Sequence, residues 1–140
     1  MRTIWAARTI DVPASVVWHL VTDVDHWPTW GPSVRDAVID GGTMRSGATG
    51  SVTTVGGVAL PFVITTFVDG ASWSWDVAGI GATEHRVDGL DAGRCRVHFG
   101  VPWVAAPYLV VCHAALPRLE SLALAQVTGA AEPPGTVRTP

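Results

Sequence analysis

The chain has no lysine, and charged residues make up only 15% of its 140 positions. The first absence excludes Schiff-base chemistry. The second, with all nine basic residues being scattered arginines and a net charge of -3, leaves no electrostatic footprint for nucleic acid. There are only two cysteines, Cys95 and Cys112, and no CxxC. That excludes a disulfide scaffold and points to a reduced, cytoplasmic protein. The N-terminus lacks the basic region and apolar run of a signal peptide. No Asp, Glu, Lys or Arg occurs between Val97 and Pro117, yet Pro102, Pro107, Pro117 and two histidines within that stretch argue against a transmembrane span. No GxSxG, Walker or dinucleotide fingerprint is present, so no cofactor is expected. The five histidines form no HxH or HxxxH pair, so no metal site is expected either.

What remains is an apolar chain, 48% hydrophobic, long enough for one domain with its own core. Arginine as the sole long cation, with abundant Ala, Gly and Val, suggests a GC-rich bacterial genome. Thr3–Ile10 reads as a strand. Pro13 suits the first turn of a helix, and Val16, Val17, Leu20 and Val21 follow at helical spacing. Asp23 ends that helix or caps a second short one, Val24–Trp27, and Pro28 and Pro32 set a bent connection. Asp23, Asp25 and His26 are read as capping and solvated residues.

Six further strands are predicted: Val34–Ile39, Gly50–Val55, Val58–Val68, Ser72–Ala78, Thr83–Leu90 and Arg94–Val101. Gly- and Asp-bearing breaks separate most of them, as an antiparallel meander requires. A long apolar helix follows over Ala105–Gln126, with a kink expected ahead of Pro117 and an apolar stripe continued by Leu119, Leu122 and Val127. The Pro/Gly-rich residues 129–140 read as a disordered tail to a single domain over 1–128.

The order strand, two short helices, six strands, long helix resembles the START-like, or SRPBCC, superfamily, and within it the polyketide cyclase/dehydrase-like branch. Pro13, Val17, Trp18, Leu20, Asp23, Trp27, Trp30 and Pro32 carry the likeness, with Trp75, Gly79, His85 and Gly93 further along. The resemblance implies an α+β helix-grip fold, a curved sheet of about seven strands wrapped around the last helix. It also implies an apolar cavity between sheet and helix.

Hairpin turns give a register. A turn at Asp91–Ala92 sets Arg94 opposite Asp88 and His98 opposite Glu84, a wet face, and leaves Thr83, His85, Val87, Cys95, Val97 and Phe99 on the other. A turn at Gly79–Gly81 sets Trp75 opposite His85. Asp69-Gly70 pairs Val68 with Ala71 and Ile64 with Trp75, placing Leu60, Phe62, Ile64, Thr66 and Val68 inward. The candidate ligand-binding wall is therefore Phe62, Ile64, Trp73, Trp75, His85, Cys95, Val97 and Phe99. Trp27, Trp30, Tyr108 and Cys112 join it from the helices. A buried imidazole needs a partner, for which Tyr108, the Trp75 indole or a ligand is available.

His85 is the candidate catalytic residue, because an imidazole near its ordinary pKa can exchange protons with an enolisable substrate. Three functions follow. The first is a binder of an apolar, aromatic, polyketide-like or lipid-like molecule. The second is a cyclase/dehydratase using His85 for proton transfer. The third is a regulatory or interaction module presenting its last helix. The expected partner is a small apolar ligand, in a monomer or homodimer.

Overall fold

The computed structural model describes residues 2–131. Strand β1 (Thr3–Ile10) leads into helix α1 (Ala14–Thr22), a 3-10 turn (Val24–His26) and the short helix α2 (Trp27–Trp30). Strands β2 (Val34–Ile39), β3 (Thr49–Thr54), β4 (Ala59–Val68), β5 (Ser72–Val77), β6 (Ile80–Asp91) and β7 (Arg94–Pro102) follow. A 3-10 segment (Trp103–Tyr108) then opens helix α3 (Leu109–Ala131). The strands form one antiparallel seven-stranded sheet in the order β1-β7-β6-β5-β4-β3-β2. This is the expected helix-grip architecture.

Helix α3 packs on β1, β7, α1 and α2. Its buried residues, Cys112, Ala115, Leu116, Leu119 and Ala123, recur at helical spacing and form the side that grips the sheet. With the 3-10 segment before it, Trp103–Thr128 is long and apolar enough to cross a membrane by length and composition, but here it is the core helix of the fold. Val127, expected to continue the stripe, is instead 37% exposed.

The helix ends differ from expectation. Pro28 lies in the first turn of α2 rather than stopping a helix, because the first turn needs no N–H from it. The last helix begins at Leu109, not Ala105, since Pro107 restricts Ala106 and the chain crosses a kink at Ala105 in a 3-10 path. The helix runs through Pro117, which lies on its exposed side. It continues to Ala131, into the expected tail. Residues 132–140 of that tail lie outside the described residues.

Four register shifts interrupt the ladders, between Val34 and Asp36, Ile64 and Thr66, Ser74 and Asp76, and Gly89 and Asp91. Bulges of this kind add twist and help curl the sheet around α3. They also correct the predicted pairings. The turn after β5 is Ala78–Gly79, both at positive φ (53° and 79°), so Ile80 already belongs to β6. His85 therefore faces Trp73, not Trp75. Asp88 pairs with Arg96 and Arg86 with His98, a slide of two residues that preserves the predicted faces. Ile64 does pair with Trp75, but the bulge beyond it inverts the rest of β4. Val68, expected inside, is 58% exposed and pairs with Ser72, while Phe67 turns in against Trp18. Gly50 has a steric reason: a Cβ there would stand 2.5 Å from the ring of Phe62, which lies across it.

Candidate functional site

His85 sits at the middle of the inner wall, 5% exposed, on the sixth strand opposite Trp73. Its ring stacks on the Trp73 indole (centroids 3.8 Å apart, planes 17° from parallel) and meets the edge of Phe99 at 5.3 Å. Trp27 lies parallel to Trp73 at 5.4 Å, and Trp75 and Phe62 complete the aromatic cluster with edge contacts. The indoles of Trp27 and Trp30 donate to the carbonyls of Val21 and Leu20, satisfying two acceptors near the end of α1. Those two residues therefore anchor the short helices and reach the inner space as well.

The partners of His85 settle its protonation. Nδ1 lies 3.3 Å from the carbonyl oxygen of Trp73, which can only accept, so Nδ1 carries the hydrogen. Nε2 is then an acceptor, and the Thr83 hydroxyl donates to it at 2.9 Å. The Trp75 indole in turn donates to Thr83 Oγ1 at 3.0 Å. A single directed chain thus runs from Trp75 through Thr83 to His85 and on to the backbone of Trp73. Sequence reasoning placed Thr83 on this face but named Tyr108 or Trp75 as the partner of His85; the hydroxyl between them was missed. Burial lowers the pKa of His85 from 6.5 to about 3, with the Trp73 carbonyl opposing only in part. The ring is neutral near pH 7, with both nitrogens engaged. That does not match an acid or base that changes charge near neutrality.

Space is distributed differently from the expected single hollow. Beside His85 it amounts to about 50 Å³, lined by Trp27, Trp30, Trp73, Trp75, Thr83, His85, Phe99, Tyr108 and Cys112 among others. That is room for one or two waters, because aromatic rings fill the rest. Eight of the twelve sequence-predicted wall residues meet there; Phe62, Ile64, Cys95 and Val97 are buried in the packed core and do not line it. The indole N–H of Trp73 is buried without a partner among the described residues, on a ring that lines this hollow. Burial also pushes the Cys112 thiol up to about 11, so it is no nucleophile near neutrality.

A larger apolar cleft of about 320 Å³ adjoins it, lined by Val34, Val52, Leu60, Val77, Val101, Pro102 and Ala105. Ser33, Val34, Trp75, Thr83 and Tyr108 line both spaces and form the partition between them. Across it the hydroxyls of Ser33 and Tyr108 are hydrogen-bonded at 2.8 Å. Strand parity already places Leu60 inward, and Val77 shares the parity of Trp73 and Trp75; nothing in the sequence signals Ser33.

Comparison with known proteins gives the same architecture. The family model described as "Polyketide cyclase / dehydrase and lipid transport" matches residues 1–132. The Zhui aromatase/cyclase from Streptomyces sp. R1128 superposes with a TM-score of 0.70 at 16% identity, over 94% of this chain and 99% of that one. An uncharacterized protein from Bacillus thuringiensis gives 0.68 at 15% identity, over 88% and 99%. Ara h 8.0201 gives 0.64 at 14% identity, over 89% and 98%. At these identities the structural likeness speaks for the fold alone. No curated protein matches the chain at a significant level.

Proposed function

The chain belongs to the polyketide cyclase/dehydrase and lipid transport family, and from that premise we propose that it binds one apolar small molecule, planar and polyketide-like or lipid-like, in the 320 Å³ cleft. The observation that carries this reading is the lining itself. Valines, Leu60 and the Trp75 ring supply apolar wall, and the hydroxyls of Ser33, Thr83 and Tyr108 stand together at the partition. Mostly apolar walls with a few grouped polar atoms are what bind and orient small ligands. The unpartnered Trp73 N–H, which costs about 1–3 kcal/mol if left unsatisfied, is a further donor for a water or ligand oxygen that passes the partition. Opening the Ser33–Tyr108 contact would join the two spaces. Two buried free thiols suit a reducing compartment, so a cytoplasmic location is part of the same proposal.

The cyclase/dehydratase alternative draws no support from the state of His85, which is neutral and doubly hydrogen-bonded. In this reading His85 shapes and stiffens the wall through the Trp75–Thr83 chain. Native mass spectrometry of the purified protein tests the binding: a small molecule retained by the wild type should be absent from Leu60→Arg, which puts a charge in the cleft. Saturable quenching of tryptophan fluorescence by planar polycyclic aromatics or long acyl compounds is the companion measurement. If neither shows an occupant that Leu60→Arg displaces, the proposal fails.

A further inference from the structure

The end of α1 gathers three side chains that are separated in sequence. Asp23 leaves the helix with extended backbone (φ −90°, ψ 108°) and turns the chain into the 3-10 segment. That reversal brings His26 back beside His19, which lies one helical turn before Asp23. The Nε2 atoms of both histidines stand 3.8 Å from the same oxygen, Asp23 Oδ2. All three potential ligand atoms lie within 4.8 Å of one another. The two imidazoles meet edge to face, with centroids 5.4 Å apart. We propose that His19, Asp23 and His26 form a binding site for one divalent transition-metal cation.

The distances favour an ion over direct contact. At 3.8 Å the imidazole nitrogens are too far from the carboxylate for hydrogen bonds. Around a tetrahedral cation with bonds of about 2.1 Å, neighbouring donors lie about 3.4 Å apart. Closing onto an ion therefore needs shifts of a few tenths of an ångström for each histidine–carboxylate pair and up to about 1.4 Å between the two histidine nitrogens, by side chains that are 62% (His19), 34% (Asp23) and 28% (His26) exposed. The carboxylate is already oriented: its other oxygen, Oδ1, accepts the backbone N–H of Asp25 at 3.0 Å. Metal-ligating carboxylates are commonly held by such outer contacts. Two imidazoles and one carboxylate suit zinc, cobalt, nickel or copper rather than magnesium or calcium. Asp23 also lines an open groove of about 580 Å³, from which waters can reach the remaining coordination positions. Histidine spacing alone argues against a metal because the chain holds no HxH or HxxxH pair. Here the central ligand is a carboxylate and a change of helix type makes the convergence.

The test is calorimetric titration of the chelator-stripped full chain with zinc chloride near neutral pH, repeated with cobalt(II) while following its visible absorption. One ion per chain is expected, with cobalt bands of a nitrogen/oxygen site. His26→Ala and Asp23→Asn should each weaken binding by about tenfold or more, since loss of an outer-shell contact alone costs about 10–100-fold. Asp23→Asn keeps an oxygen for the Asp25 N–H, so its metal-free melting temperature should match the wild type. His98→Ala and His113→Ala should bind zinc unchanged. Zinc should raise the melting temperature of the wild type but not of the double variant His19→Ala, His26→Ala. Absence of saturable zinc uptake by the wild type, or uptake undiminished in that double variant, would overturn the assignment.

Discussion

Thr83→Val removes one hydroxyl and interrupts the chain from Trp75 to His85 at its middle. The substitution is nearly isosteric, so little cavity is created and the cost is that of lost hydrogen bonds. Two groups lose their partner: Nε2 of His85, on a ring 5% exposed, and the indole N–H of Trp75, on a part-buried ring. An unsatisfied buried polar group costs about 1–3 kcal/mol. His85 should incur the full penalty, whereas Trp75 borders the open cleft where water can replace the hydroxyl, so its share is small. The expected loss is about 1–3 kcal/mol. Urea unfolding followed by tryptophan fluorescence measures it. With a slope of about 2 kcal/mol per molar urea, the midpoint should fall by about 0.5–1.5 M at unchanged slope. Thr83→Ser keeps the hydroxyl and loses a methyl group, so it should cost only about 1 kcal/mol. The reasoning is refuted if valine costs less than about 0.5 kcal/mol, or less than serine. Nitrogen NMR of the wild type provides a separate check. It should show His85 protonated at Nδ1, and a hydrogen on Nε2 would break the chain as drawn.

Three further outcomes follow from the structure. In the unfolded chain His85 takes up a proton near pH 6.5, but in the fold only near pH 3. Its contribution to stability is therefore complete above pH 6.5 and is lost as the pH falls toward 3, by about 1.4 kcal/mol per pH unit. Between pH 7 and 5 the urea midpoint of the wild type should fall relative to that of His85→Gln, and parallel profiles would contradict the burial. Ala78 holds φ at 53° in a two-residue hairpin turn, a conformation that Asn adopts more readily. Ala78→Asn should stabilise by about 0.5–1 kcal/mol in thermal melts and Ala78→Val should destabilise; the reverse order would show that the turn differs. Cys95 and Cys112 are both buried and free, and burial raises both thiol pKa values. A thiol-reactive dye at about pH 8 should label neither in the native protein and both in urea; rapid native labelling of Cys112 would refute its burial.

Local rules carried the reading of this chain a long way. Turn residues and apolar alternation placed all seven strands, and they put His85 inward and His98 outward. The face of each residue depends only on parity, which a slide of two leaves intact, so the wall around Trp73, His85 and Phe99 was legible although its partners were mispaired. Parity also carried Leu60 and Val77, residues the candidate site should have included. Where parity itself broke, at the bulge after Ile64, Val68 was placed on the wrong side, because one extra residue leaves no trace in composition.

The sequence by itself determined the element order and the two faces of the sheet, since periodicity and turn chemistry are local properties of the chain, and the helix-grip architecture followed from the family resemblance that this order carries. Tertiary structure alone decided three other things: the hydroxyl that neutral His85 bonds, the sideways placement of the larger apolar space, and the meeting of His19, Asp23 and His26. Each depends on ångström-scale positions of side chains from different segments. Free volume in particular is the small remainder after large rings such as Trp27, Trp73 and Trp75 have packed, and no rule of spacing along a chain fixes a remainder of that kind.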